Sequence, residues 1–489
     1  MISFRKICFS SIIGMVIIIP LLFNPLGCFA FEVDKIFLFR FGVGVLLILW
    51  LLSKKRIQDV FMNIWDRMLL LRLVDIDFLL VGLLFAYGIA TVFSIAPEDS
   101  FWGLPDRNWG MITIISFFIL YWLCSGVFRH KSDVEKLIKA IAVTSVLICL
   151  YAIMQKMGLD LFGLGQGETL PSARQVVRVS STLGHPNYLG AWLAMTLPWL
   201  FGGLFLIKKI TIRLFISVAI LLNLAALYCT FNRGGWLAAI CGLLSFVILI
   251  LLFRGCATWL SSRAFRINIV GLFCAILVIV SFFFGVWGFG GDLRAKEFDI
   301  DGGSIYIRLQ DYKFAWQKIK ERPLFGWGAE TFGYLSANRE YTNKELAIND
   351  QLADRAHNFF LDILVNLGIV GLFFWCAVFL RIFYLAWYTL KNSSDFLKKI
   401  IMIFAASSLV AYCIEVQFHF DTVATSLFVF INFCLINSFA ANQEATGTVT
   451  EAVARPRQMS SVLWIFVLAI FLLNVYINIG AIVWNFTCA

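Results

Sequence analysis

Charge is the scarcest property of this 489-residue sequence: Asp, Glu, Lys and Arg together make up 14% of it. A soluble globular chain keeps about a quarter of its residues charged, so a water-soluble fold of this length is excluded. Disorder is excluded as well, because it needs low hydrophobicity and high charge. The sequence has no Walker A lysine loop and no dinucleotide-binding glycine fingerprint. Its 12 cysteines stand singly, as at Cys8, Cys28, Cys124, Cys149 and Cys229. None has metal or redox-pair spacing, so they read as apolar packing residues. No His/Cys/Asp set has convincing ligand spacing either. Asp75-Ile76-Asp77 and Asp299-Ile300-Asp301 are only two-residue signals, so no metal and no other cofactor is expected.

Apolar length is what the sequence has instead. Hydrophobic residues make up 61%, mean hydropathy is +0.86, and there are 50 Phe and 16 Trp. About thirteen runs approach the roughly 20 residues needed to cross a bilayer as a helix. They fall near 7–23, 36–53, 76–95, 110–128, 137–156, 186–206, 213–230, 234–253, 267–288, 358–380, 399–417, 422–440 and 462–484. Lipid forbids open sheet edges, and these runs are too long for the alternating strands of a β-barrel. The expected fold class is all-α: a polytopic integral membrane protein of about 12–13 transmembrane helices with one large helical external loop. Segments 1–288, 289–357 and 358–489 divide as nine membrane helices, the loop, and four more helices.

The net charge of +10 could suggest nucleic acid, but its distribution reads as membrane topology. One set of alternate connections carries clusters such as Lys54-Lys55-Arg56, Lys208-Lys209 and Lys398-Lys399. The opposite short connections hold only Lys35, Arg107, Lys156, Arg174, Arg178 and Arg233. The positive-inside rule then puts the N-terminus in the cytoplasm. The first run ends in Gly27-Cys28-Phe29-Ala30, which resembles a signal cleavage region, but it fits the alternation and reads as a retained signal-anchor.

Residues 289–357 form an external loop too long to be a simple connection. Within it Ile305, Leu309, Tyr312, Trp316 and Ile319 recur at helical spacing, which predicts an amphipathic helix over 304–321. Pro323 stops it, and Gly326, Gly328 and Gly333 punctuate the turn that follows. A second helix is expected near 343–353, giving a helical cap. The smaller loop 157–185 is expected to pack beside it.

Three residues stand out chemically. Arg233 lies in a very short external link, Thr230-Phe231-Asn232-Arg233-Gly234-Gly235-Trp236, close to the hydrocarbon. An arginine there needs a carboxylate, phosphate or carbonyl partner, or snorkels. Arg308, near the start of the cap helix, presents a planar fork suited to phosphate oxygens, or is an ordinary solvated charge. His357, one of only 4 histidines, lies where the chain re-enters the membrane. A helix N-terminus disfavours imidazolium, so His357 tends toward the neutral, proton-accepting form of a general base, or is an interfacial cap. Arg107 is a further anion contact or a partner of Asp106. His185, in Gly184-His185-Pro186-Asn187-Tyr188, is well explained by helix initiation. Glu415, His419 and Asp421 read as a solvated turn, and Arg40 as a residue snorkelling outward.

These segments resemble the O-antigen ligase and polymerase-related superfamily of bacterial membrane glycosyltransferases. The matching stretches are Phe231-Asn232-Arg233-Gly234-Gly235-Trp236-Leu237-Ala238; Ile307-Arg308 with Trp316; Arg322-Pro323-Leu324-Phe325-Gly326-Trp327-Gly328 with Phe332; Ala356-His357-Asn358-Phe359-Phe360-Leu361; Gly368-Ile369-Val370-Gly371; and Ser180–Tyr188. Their order around one large loop carries the likeness, which covers about 180–375. Thirteen segments is one more than is usual in the ligases.

The resemblance implies a GT-C-like architecture in the bacterial inner membrane, with the large loop periplasmic. It implies Arg233, Arg308 and His357 as catalytic residues, and Arg107, Arg355, Asn358, Glu330 and His185 are expected as substrate contacts. The implied donor is a glycan on undecaprenyl pyrophosphate. The implied acceptor is a sugar hydroxyl, on lipid A–core for a ligase or on another glycan for a polymerase. Cationic clamps would neutralise the departing diphosphate without a metal, and in-line attack would invert the anomeric centre. Ligase, polymerase and protein O-glycosyltransferase are not separated by these motifs. A transporter or flippase for lipid-linked sugars is the rival from another class. It is disfavoured because no repeat is found and polar residues gather at the outer border rather than the midplane.

Overall fold

The computed structural model describes residues 4–26, 29–53, 75–163, 178–253, 271, 304–339 and 353–441. The described residues are helical, without a strand. We number the α-helices in chain order: α1 Phe4–Leu21, α2 Val33–Ser53, α3 Ile76–Val92, α4 Pro97–Trp102, α5 Met111–Cys124, α6 Lys131–Lys156, α7 Pro186–Leu206, α8 Ile210–Cys229, α9 Arg233–Leu252, α10 Ser304–Glu321, α11 Phe332–Ala337, α12 Phe359–Asn392, α13 Phe396–Glu415 and α14 Val423–Ala441.

Nine of these are long and apolar enough to cross a membrane, and α3 and α5 are shorter apolar helices. They coincide with eleven of the expected spans. The expected spans 267–288 and 462–484 lie outside the described residues, as does the expected helix near 343–353. The chain is an integral membrane protein, and lipid explains why side chains such as Leu221 and Leu380 point outward with about two-thirds of their surface exposed.

Helix α7 is the axis of the bundle. It packs against α6, α8, α9 and α13. Small residues allow the approach: a Cβ at Gly202 would meet the Phe404 ring at 2.4 Å, and one at Gly203 would meet Ile138 at 2.7 Å. A buried polar chain fixes the register. Trp199 Nε1 donates to Asn432 Oδ1 (3.0 Å), Asn432 Nδ2 donates to Ser408 Oγ (3.2 Å), and Ser408 Oγ donates to the Met195 carbonyl (2.8 Å).

The cap helix forms over the residues its periodicity predicts. Phe314, Ala315 and Ile319 pack on Phe332, Leu335, Ala353, Ala356 and Val365 as a small separate core. The six-residue α11 was not expected. The proline–glycine turn does more than end α10: it runs alongside α12 and bonds to it. Trp327 N donates to Val365 O (2.8 Å), Gly328 N to Asn366 O (2.9 Å), Ile369 N to Pro323 O (2.8 Å) and Val370 N to Leu324 O (3.3 Å). Those α12 carbonyls and amides are free because the helix breaks at Gly368, whose φ is 65°. A Cβ there would lie 2.3 Å from the Leu324 backbone, so only glycine fits.

The described parts of the connections, 22–26, 29–32, 93–110, 178–185, 230–232, 304–339, 353–358 and 416–422, share one end of the bundle and are cross-linked there. Lys35 Nζ donates to Thr182 O (2.9 Å), Thr182 Oγ1 to Pro20 O (2.7 Å), and Phe359 N to Val416 O (3.0 Å). Arg40 corrects an expectation: it is buried and does not snorkel. Its Nε donates to Thr113 Oγ1 (2.9 Å), and its Nη2 donates to the Trp102 carbonyl (2.9 Å) and to the Asn108 carbonyl. The turn after α4 leaves carbonyls without helical donors, and the guanidinium satisfies them inside the protein.

Candidate active site

The site lies at the cross-linked end, where the cap meets the membrane helices. Its geometry begins with strained backbone. Among the described residues, five that are not glycine have left-handed φ, and all lie at this end: Asn108 (52°), Ser181 (53°), Phe231 (50°), Glu330 (61°) and His357 (51°). Such conformations persist only where the surroundings over-determine them.

At His357 the determinants are visible. Asn358 caps α12, its Oδ1 accepting from Phe360 N and Leu361 N at 3.1 Å each. Its Nδ2 donates to the Gln417 carbonyl (3.1 Å). On the other side Ala356 N donates to Asp362 Oδ1 (2.8 Å). His357 is thus pinned between a helix cap and a buried carboxylate, with its ring facing the turn 416–422.

Three of the chain's four histidines meet there. The ring of His419 lies 5.5 Å from His185 and 6.4 Å from His357, centroid to centroid, and stacks on Tyr188 at 4.9 Å. Phe420 is the centrepiece, with His357 at 5.9 Å and Tyr188 at 5.7 Å. Two guanidinium groups cover the same ring, Arg107 at 4.4 Å and Arg355 at 4.9 Å. Arg107 is further paired with Asp354 and, at 3.4 Å, with Asp106. Arg355 is paired with the buried Glu330.

Electrostatics follow from this crowding. Burial, with Arg308, Arg107 and His185 as cationic or imidazole neighbours, pushes His357 down to about 4 against the pull of Asp354. His357 is therefore neutral near pH 7. Burial also holds His419 well below its ordinary range, with the neighbouring His185, His357, Arg308 and Arg107 adding to the effect. Burial raises Asp421, which accepts from Tyr412 OH (2.6 Å) and Thr425 Oγ1 (2.8 Å). Tyr312, one turn along α10 from Arg308, is raised by burial and eased by Arg308 and by Asn358.

The expected residues are placed as follows. Arg308 reaches His357, His419 and Glu415 electrostatically from the cap. Arg107, Arg355, Glu330 and His185 lie around the same cluster. Asn358 is there too, but its side chain is committed to capping α12 and to Gln417. His185 Nδ1 accepts from Asn187 N (3.1 Å) as the cap of α7. Arg233 opens α9 on the neighbouring wall. The preceding Asn232 donates to Asn187 O (3.3 Å), and a Cβ at Gly234 would meet Phe418 at 3.2 Å. Arg233 thus enters beside the histidine turn. Among the described residues no group of three or more His, Cys, Asp or Glu is arranged to hold a metal ion.

Two residues set aside by the sequence reading belong to this site. His419 and Glu415 are 4% and 3% exposed, so the turn is not solvated. Their sequence neighbours Phe418 and Phe420 were the available signal.

Fold and site together define a polytopic membrane protein with an arginine–histidine cluster at one end of its bundle. Residues 217–376 match the family model Wzy_C, described as O-antigen ligase. The matched segment is similar to that family and includes most of the stretch whose motifs carry the resemblance, which supports an O-antigen ligase-like or polymerase-family function. It contains Arg233, Arg308, Glu330, Arg355, His357 and Asn358; Arg107, His185 and His419 come from outside it. Comparison with curated proteins gives no match.

Proposed function

We propose that this protein transfers a glycan from undecaprenyl pyrophosphate to a sugar hydroxyl at the outer face of the bacterial inner membrane. In this reading the lysine- and arginine-rich end of the bundle faces the cytoplasm, and the cap and site face the periplasm. The reading is ligase-like, with lipid A–core as acceptor; a glycan acceptor would make the same chemistry a polymerase.

The observation that supports it best is the position of His357, a desolvated imidazole pinned between the cap of α12 and Asp362, with Arg308 acting on it from the cap helix. A hydroxyl attacks the anomeric carbon while His357 accepts its proton, and the carbon–oxygen bond to the diphosphate breaks. The diphosphate leaves with the electron pair. Fixed guanidinium groups neutralise the charge that develops on it, Arg308 from the cap and Arg233 from the membrane edge. That neutralisation supplies what a metal would otherwise supply. Attack from the face opposite the leaving group inverts the anomeric centre. Arg107 and Arg355, each already paired with a carboxylate, line the approach rather than carry the diphosphate. Asn358 and His185 position their helices.

Glycan transfer by purified protein tests this directly. His357→Ala, Arg308→Ala and Arg233→Ala should each lose at least about 100-fold, the scale of removing a general base or an oxyanion donor. Full activity in all three overturns the assignment. Arg308→Lys and Arg233→Lys should also fall, because a point charge lacks the bidentate fork.

A further inference from the structure

Behind His357 lies a group for which the proposed mechanism has no use. His419 is 4% exposed, and neither ring nitrogen has a hydrogen-bond partner among the described residues. A buried imidazole left bare on both sides is expensive, and aromatic packing alone does not require it, because phenylalanine would fill the same space. A neutral imidazole presents one donor and one acceptor. Phosphate oxygens would satisfy the donor alone, whereas a hydroxyl satisfies a donor on one side and an acceptor on the other.

The geometry says where such a hydroxyl would sit. His357 is half-buried and reachable, and His419 lies directly behind it, 6.4 Å between centroids. Ring nitrogens lie about 1.1 Å from a centroid, so no nitrogen of one imidazole comes nearer than roughly 4 Å to a nitrogen of the other, too long for a direct bond. A single oxygen bonded to both nitrogens spans about 4.6–5 Å. The ring spacing therefore leaves room for one hydroxyl oxygen held between a nitrogen of each imidazole.

We propose that His419 is a second substrate-contacting imidazole, holding the attacking hydroxyl between itself and His357. This rests on the glycosyltransferase reading above. His419 Nε2 or Nδ1 donates to the hydroxyl oxygen, whose own hydrogen points at His357. The remaining lone pair is aimed at the anomeric carbon. Glu415, buried at the end of α13 with Oε1 bare, marks the floor of the same turn.

The test is His419→Phe, assayed with undecaprenyl-pyrophosphate-linked glycan as donor and lipid A–core as acceptor. Phenylalanine keeps the ring and removes both orphan nitrogens, so the variant should melt no lower than the parent. Its kcat/KM for the acceptor should fall on the order of tenfold, the loss of one hydrogen bond to a reacting group, with the donor KM unchanged. His419→Gln, which retains a donor and an acceptor, should recover part of that loss. Unchanged acceptor kinetics in His419→Phe, or in His419→Leu should Phe not be accommodated, overturn the inference. His357→Ala separates the two levels. If it is inactive while His419→Phe is normal, only the second imidazole fails; if it is fully active, the mechanism itself fails.

Discussion

His357 carries two consequences that can be measured separately. Its proton affinity is lowered to about 4, while an unfolded histidine titrates near 6.5. The folded state therefore binds fewer protons between those values, and stability falls as pH drops from about 6.5 toward 4. Activity follows the folded value instead. The acid limb of kcat/KM should stay flat to about pH 5 and break near 4, where an ordinary histidine would break near 6.5. A limb at 6.5 would show that His357 is not the buried base. The Glu330–Arg355 pair makes a second residue-scale prediction. Glu330→Ala removes the paired carboxylate from the largely buried Arg355 guanidinium and should lower stability by about 3 kcal/mol in denaturant titration. The double variant Glu330→Ala/Arg355→Met should recover much of it. Equal losses in single and double variants would mean the pair is not coupled.

The element that matters most is α12, because it is broken where the cap attaches. Gly368→Ala places a Cβ 2.3 Å from the Leu324 backbone and forces a left-handed φ on alanine. It should cost at least about 2 kcal/mol and lower transfer activity, since the strap that ties the cap helix to α12 must shift. Gly14→Ala is the control: nothing lies within 4 Å of the added carbon, and thermal unfolding in detergent should be unchanged or slightly raised. A wild-type melting point for Gly368→Ala would show the break to be dispensable. The sequence Asn366-Leu367-Gly368-Ile369-Val370-Gly371 gives no warning of this break. Small residues are ordinary in membrane helices, and only the approaching strap makes one of them obligatory.

At the scale of the whole molecule, the spans were legible because bilayer thickness sets a length that apolar runs must meet. The cap helix was legible because its stripe repeats at 3.6 residues. The cluster was legible only in part. Arg308 and His357 announced themselves at the edges of the loop, but their neighbours arrive from α5, α7 and α13. His419 and Arg40 were misread because burial of a polar residue is decided by partners distant in sequence, 62 positions away for Arg40 and Trp102 and farther still for His419 and His185. Sidedness makes its own prediction. Leu161→Cys, at an exposed position on the site end, should react with a membrane-impermeant maleimide from the periplasm, and Lys208→Cys should react only after permeabilisation. The reverse pattern would invert the molecule and remove the site from any outer-leaflet donor.

The strap between 323–328 and 365–370 has one more implication. Four main-chain hydrogen bonds weld the strap after the cap helix to a membrane-spanning helix, and breaking them leaves backbone amides without partners. The cap is thus an extension of that segment and not a flap. On the proposed function, a polyprenyl carrier would then reach the imidazoles laterally, between neighbouring spans, rather than beneath a lifted strap.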